Sequence, residues 1–229
     1  MSDAVHPFHL SVPQSDLDDL HMRLVRTRWP DAETVRDTSQ GPQLAKLRAL
    51  AARWQDGYDW RRCERVLNDL GQYRTEIDGL DIHFLHVRSP EPDAMPLLLT
   101  HGWPGSVLEF RKVIGPLTDP VAHGGNARDA FHVVIPSMPG FGFSGKPTAT
   151  GWNVGRIAGA WTTLMARLGY TRWAAQGGDW GAAVTTTLGY MAPPSLVGIH
   201  LNMVMFHPTG EECEAATPQE KTMLDAARR

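Results

Sequence analysis

The sequence has no long apolar run and no block of like charge. Its 229 residues carry a net charge of -3, and no basic stripe points to a nucleic-acid partner. No apolar run approaches the about 20 residues that a membrane-spanning helix needs. The first residues lack both the basic flank and the apolar run of a signal peptide. We therefore expect a cytoplasmic protein that neither spans a membrane nor binds nucleic acid.

Cysteine is scarce, and nothing marks a metal site. The 2 cysteines, Cys63 and Cys213, lie far apart and have no metal-ligand neighbours in sequence, so we expect reduced thiols. His83 and His86 are three residues apart on a predicted strand, which places them on opposite faces and excludes them as a pair for one ion. The sequence predicts no metal and no cofactor.

A glycine-rich stretch at 139–147 resembles part of a phosphate-binding loop. Gly140, Gly145 and Lys146 have the right spacing, but Pro147 stands where a magnesium-binding Ser or Thr is needed. No predicted helix begins there. We therefore reject nucleotide binding and predict a tight turn.

The whole sequence is 42% hydrophobic, which is sufficient for one sizeable core. Within it, residues 1–70 have a helical pattern. Ser15 to Asp18 has the form of a capping box with Asp in place of Glu. Further helices are predicted over Gln43 to Gln55 and from Trp60 to about Leu70. The apolar pattern is too loose for a helical bundle, so we predict a helical meander.

At Gly71 the pattern changes to strands. Asp78-Gly79 between two alternating runs predicts a hairpin. Strand-like and helix-like runs then alternate through residue 205, which predicts a mostly parallel, doubly wound α/β sheet with helices on both faces. The predicted strands are Pro96–Thr100, Phe131–Ile135, Arg172–Gln176 and Val197–Val204, and helices follow Ser106 (in a capping box with Glu109), Asn153 and Gly181. Residues 206–229 form a third segment, in which Thr217-Pro218 begins a helix.

The stretch from Gln176 to Ala182 is the candidate catalytic turn. Small residues on both sides of Asp179 allow a sharp change from strand to helix, which lifts the Asp179 side chain above the sheet edge. Its carboxylate is ionised at neutral pH and needs no base to become a nucleophile for an alkyl carbon, such as that of an epoxide or a carbon–halogen bond. The alternative is that Asp179 only caps the following helix.

A second stretch, His101 to Ser106, follows the Pro96–Thr100 strand directly. The backbone N–H of Trp103 at this turn and that of Trp180 after the nucleophile can meet at one oxyanion. A plain strand-to-helix turn is the alternative for the first stretch. The presence of both stretches in one chain favours an oxyanion hole.

Together these motifs resemble epoxide hydrolases of the α/β-hydrolase superfamily, in the microsomal-like branch with an N-terminal meander. The resemblance covers about residues 5–205. It comes from Pro7–Pro13 through Arg28-Trp29-Pro30, His101–Ser106, Pro139–Ser144 and Gly177–Gly181. It implies that Asp179 attacks an epoxide carbon and forms an alkyl-enzyme ester, with Trp103 and Trp180 as the oxyanion-hole donors. Water then releases a vicinal diol, and the substrate is a hydrophobic small-molecule epoxide.

The resemblance also implies lid tyrosines, an acid and a histidine base after the Val197–Val204 strand. The chain ends soon after that strand, so we expect the last two strands of the sheet to be missing and turnover by this chain to be impaired. Two alternatives stay open: a haloalkane dehalogenase with the same Asp nucleophile, and a catalytically inactive fragment that needs a partner. A homo-oligomer is compatible with the sequence.

Overall fold

The computed structural model describes residues 3–204 and 209–227. The chain divides into two compact units: His6–Arg74 is one, and the remainder of the chain is the other. We call them the N-terminal unit and the α/β unit. The sequence-based division was 1–70, 71–205 and 206–229, and residues 205–208 and 228–229 of those segments lie outside the described residues.

Three helices make up most of the N-terminal unit. The short strand β1 (His6–Pro7) pairs antiparallel with residues 73–74, and helices α1 (Gln14–Val25), α2 (Leu44–Gly57) and α3 (Trp60–Asn68) follow. Asp59 caps α3 by accepting a hydrogen bond from the Arg61 N–H. The capping box predicted at Ser15 is wrong, because α1 begins after Pro13 and has no side-chain cap.

The predicted hairpin is present. Strands β2 (Gln72–Ile77) and β3 (Leu80–Val87) are neighbours in the sheet and are joined by Asp78 and Gly79. Both turn residues have positive φ, 52° and 76°, as a tight two-residue turn between twisted strands requires.

The sheet has seven strands in the order β1-β2-β3-β5-β4-β6-β7. Its parallel part comprises β5, β4, β6 and β7, while β3 pairs antiparallel with β5. The strand bounds are β4 (Met95–Thr100), β5 (Phe131–Pro136), β6 (Trp173–Gly177) and β7 (Leu196–Leu201). The carboxyl ends of the parallel strands share one edge, where ligands bind in sheets of this kind.

Helices α4 (Arg111–Thr118), α5 (Val154–Arg167) and α6 (Trp180–Met191) connect these strands. Asn153 caps α5 as predicted, and Ser106 caps a short 3-10 turn that precedes α4. Glu109 does not complete the predicted capping box, since the Ser106 side chain accepts from the Leu108 N–H. The core of the unit forms where α5 and α6 bury their small and apolar residues.

The last described elements are α7 (Gly210–Ala215) and α8 (Pro218–Ala227). The predicted start of α8 is confirmed: Thr217 and Glu220 bond reciprocally to each other's backbone N–H. Helix α7 was not predicted, although Thr209 and Glu212 form a full capping box there. Among the helices in the described ranges, none is both long and apolar enough to cross a bilayer.

Candidate active site

The turn from β6 into α6 depends on close backbone packing. A Cβ on Gly177 would lie 2.0 Å from the Gly181 carbonyl oxygen, and a Cβ on Gly181 would lie 2.1 Å from the carbonyl oxygen of Thr100. Both distances are far inside van der Waals contact. Glycine at these two positions lets α6 begin directly against the end of β4, which fixes the residue between them.

That residue is Asp179, which has φ 54° and ψ -128°. L-residues rarely adopt positive φ, and such strain is concentrated at functional sites. Asp179 occupies the N-cap position of α6, but its side chain makes no capping hydrogen bond. Its side chain is exposed. The cap explanation therefore does not account for the aspartate at this position.

Two backbone N–H groups stabilise the Asp179 carboxylate. The Trp103 N–H donates to Oδ1 at 2.8 Å. Hydrogen bonds from the backbone of Trp103 and then of Trp180 hold the pKa of the Asp179 carboxyl below its ordinary value. The three residues singled out from the sequence thus meet at one carboxylate, and both indole side chains are more than half exposed beside it, at 65% and 54%.

Gly102 allows this approach. A Cβ at Gly102 would lie 2.5 Å from the Asp179 Cβ and 2.7 Å from its Oδ1. Any larger residue would therefore displace the carboxylate from the Trp103 N–H.

His101 is a buried residue of the site that the sequence did not single out. Its side chain is 1% exposed, and its two ring nitrogens lie 3.0 Å from the Gly102 carbonyl oxygen and 3.1 Å from the Met138 nitrogen. Burial lowers the pKa of His101, against a smaller opposing effect of the Gly102 hydrogen bond and the Glu109 charge. The sequence signal for it was its place at the start of the His101–Ser106 stretch, directly after a buried strand, but no role was predicted for its ring.

Asn202 is a second residue that sequence reasoning missed. It follows β7, donates its backbone N–H to the Gly177 carbonyl at 3.2 Å, and accepts from Gln176 Nε2 at 2.7 Å. A Cβ on Gly178 would lie 3.4 Å from its Nδ2. The signal that could have found it is its position at the carboxyl end of a parallel strand.

The glycine-rich stretch at 139–147 forms a turn, as predicted, and no helix begins there. Ser144 Oγ accepts from the His83 N–H at 3.0 Å and donates to the Ser137 carbonyl at 2.7 Å. The His83 ring lies 2.9 Å from Ser137 Oγ. His83 is therefore a buried structural residue. Within the described residues there is no cluster of three or more metal-ligating side chains.

Two family models match the chain. One, described as "Epoxide hydrolase N terminus", matches residues 5–110, and the other, described as "alpha/beta hydrolase fold", matches residues 95–227. The chain belongs to the epoxide hydrolase group of the α/β-hydrolase family. The fold and family expected from the sequence are thereby confirmed.

Named relatives of the chain agree with the family assignment. It is 58% identical over 224 residues to a protein of Stigmatella aurantiaca (strain DW4/3-1) that is provisionally named an epoxide hydrolase. It is 38% identical to epoxide hydrolase 1 of Oryctolagus cuniculus over 89% of this chain and 46% of that protein. The match to the Stigmatella protein spans 98% of this chain but 51% of that protein, so the chain spans about half the length of the curated relatives it matches.

A solved structure supports the same fold for the chain. The epoxide hydrolase of Aspergillus niger superposes with a TM-score of 0.78 at 31% identity, over 96% of this chain and 58% of that one.

Proposed function

We propose that the protein opens epoxides by forming an ester between Asp179 and an epoxide carbon, which water then hydrolyses to a vicinal diol. The observation that carries this proposal is an exposed, strained aspartate whose carboxylate accepts a backbone hydrogen bond from Trp103. A carboxylate with a lowered pKa is a stable anion at neutral pH and requires no base before it attacks.

The first step balances without a cofactor. One Asp179 oxygen forms a bond to an epoxide carbon, the carbon–oxygen bond of the ring breaks, and its electron pair stays on the ring oxygen, which takes a proton from solvent water. Nothing leaves, so the ester adds the whole mass of the epoxide to the protein. In the second step a base-activated water adds to the ester carbonyl, the ester C–O bond breaks, and the diol and free Asp179 form.

The backbone N–H groups of Trp103 and Trp180 serve as the oxyanion hole in this scheme. In the first step they bind the Asp179 oxygen that does not attack. In the second step the same oxygen becomes the oxyanion of the tetrahedral intermediate, and donors already in place stabilise it without reorganisation. The hydrogen bond from Trp103 to Oδ1 supports this role.

Incubation with a hydrophobic aryl epoxide tests the proposal by intact-mass spectrometry and diol chromatography. We expect either an adduct of one epoxide mass at Asp179 or steady diol release. The Asp179→Asn variant should show neither product, while the matched variant Asp93→Asn, at an exposed aspartate in the turn before β4, should behave like the wild type. Because the Asp179 pKa is lowered, adduct formation should persist to a pH below the ordinary range of aspartate.

A haloalkane dehalogenase would use the same aspartate nucleophile. An assay with a chloroalkane as a second substrate distinguishes the two activities. The dehalogenase reaction with a chloroalkane would release chloride, whereas the proposed reaction releases none. The relatives named above all carry epoxide hydrolase names, which favours the epoxide. Chloride release without any reaction of the epoxide would contradict the proposal.

A further inference from the structure

His101 uses both of its ring nitrogens inside the protein. The Gly102 carbonyl can only accept a hydrogen bond, so the Nδ1 that lies 3.0 Å from it carries the proton. The Met138 N–H can only donate, so the Nε2 that lies 3.1 Å away accepts. These partners define a neutral imidazole in a single tautomer, with no nitrogen left for a substrate or for water.

The hydrogen bond from His101 and the hydrogen bond to the Asp179 carboxylate are made by the same peptide group. The Gly102 carbonyl, which accepts from His101, and the Trp103 N–H, which donates to Asp179, lie at opposite ends of the same planar unit. The Gly105 N–H also donates to the Gly102 carbonyl, at 2.9 Å. Because the unit is planar, holding its carbonyl end fixes the direction of its N–H end.

The second nitrogen connects this peptide to the neighbouring turn. Met138 begins the turn that continues through Phe141, and the Phe141 ring meets the His101 ring edge-on with centroids 5.5 Å apart. His101 is 1% exposed, so neither hydrogen bond can be exchanged for one to water without opening the loop. A rotation of the peptide would turn the Trp103 N–H away from Asp179.

We propose that His101 is a positioning residue for the Asp179 reaction, which acts by holding the Gly102–Trp103 peptide so that the Trp103 N–H points at the carboxylate. The inference rests on the proposed function of Asp179 for its effect on rate. The geometry it predicts can be measured without any turnover.

Two amide variants distinguish the contributions of the two ring nitrogens of His101. His101→Asn places an amide N–H near the position of Nδ1, and His101→Gln places an amide oxygen near that of Nε2. We expect His101→Asn to retain most of the rate of Asp179 alkylation. His101→Gln, which loses the bond to Gly102, should be slower by about 10- to 100-fold, because a catalytic group displaced by about 1 Å costs rates of that order.

Nuclear magnetic resonance supplies a readout that a general loss of stability would not produce. In the wild type and in His101→Asn, the Trp103 amide proton should resonate downfield and the Asp179 carboxyl should titrate below its ordinary range. In His101→Gln the amide should move upfield and the Asp179 pKa should rise. Asp179→Asn gives the reference position of the Trp103 amide without a carboxylate.

The wild-type imidazole provides a check that needs no variant. Its nitrogen resonances at neutral pH should show the neutral form protonated at Nδ1; an Nε2-protonated or doubly protonated ring would overturn the inference. So would unchanged Trp103 and Asp179 resonances in a folded His101→Gln variant. If the wild type forms neither adduct nor diol, the proposed function fails, and the resonances still decide the position of the peptide.

Discussion

The helices of the two units bury very different amounts of apolar surface. Helices α1 and α2 of the N-terminal unit have no buried residue, although each is 12 residues or longer. Helices α5 and α6 of the α/β unit bury 5 residues each, including Trp161 and Leu188. The candidate nucleophile is placed by the unit whose helices are packed, as the narrow geometric tolerance of a reacting group requires.

In the N-terminal unit, hydrogen bonds instead join segments that are far apart in sequence. Glu64 Oε1 accepts from the Val12 N–H at 2.6 Å, its Oε2 pairs with Arg61 at 2.7 Å, and Asn68 bonds both backbone groups of Leu10. A cavity of about 680 Å³ lies among the three helices. Its apolar lining includes Leu50 and Trp54, which are 65% and 48% exposed. Helical periodicity here predicts helices but not a buried core.

The largest expected difference between the units is in the cost of shortening one leucine. Leu164 on α5 is fully buried, so Leu164→Ala should lower the free energy of unfolding by about 2–5 kcal/mol through lost contacts and a residual cavity. Leu50→Ala on α2 removes a mostly exposed side chain and should change it by less than about 0.5 kcal/mol. Urea titration of both variants measures the contrast, and equal losses would refute the distinction between the units.

Alanine substitutions of two helical glycines should show a difference of similar size. In Gly181→Ala the new methyl meets the Thr100 carbonyl, which is backbone and cannot rotate away, so we expect a loss of about 3 kcal/mol. Gly57→Ala at the end of α2 meets only the flexible side chain of Arg53 at 3.7 Å. It should gain up to about 1 kcal/mol from the higher helix propensity of alanine. Thermal unfolding of the pair compares them, and a tolerated Gly181→Ala would show that the catalytic turn is less tightly packed than described.

The sequence predicted the elements whose periodicity is strong. The Asp78-Gly79 hairpin, the parallel strands and the helix after Asn153 were all found because each depends on a few neighbouring residues. Their bounds shifted by up to three residues: the last strand ends at Leu201, whereas the predicted strand extended to Val204. Pairing with β6 ends at Leu201, and the run by itself carries no information about pairing.

The site was predictable as far as its motifs were local. Asp179 and the two tryptophan N–H groups followed from the small residues around each turn. The role of His101 was not predictable, because its second partner, Met138, lies 37 positions away and belongs to another turn. The same applies to Asn202, whose partner Gln176 is on a neighbouring strand. Contacts between separate loops depend on the assembled sheet.

The two units should also respond to acid over different pH ranges. Burial, followed by the charges of Arg88 and His132, lowers the pKa of His86 to about 4 in the α/β unit, where its ring lies 2.7 Å from the Tyr170 hydroxyl. In the N-terminal unit, burial raises the pKa of Glu64, but hydrogen bonds from Arg61, the Val12 backbone and Trp60, together with the Arg61 charge, lower it below its ordinary value of 4.5.

The two pKa shifts reduce stability over separate pH ranges. As pH falls from 6.5 to about 4, the unfolded chain takes up a proton at His86 that the folded chain does not, so the α/β unit loses at most about 1.4 kcal/mol per pH unit from this residue. Glu64 contributes a loss only as pH falls below 4.5. Hydrogen exchange measured by mass spectrometry follows peptides of each unit separately, and protection should decline first in the α/β unit. His86→Asn should flatten that decline, with the remaining slope due to His101 and His132, whose pKa values burial also lowers. If the N-terminal unit opened first between pH 6.5 and 4.5, the titration of buried imidazoles would not explain the difference in acid sensitivity between the two units.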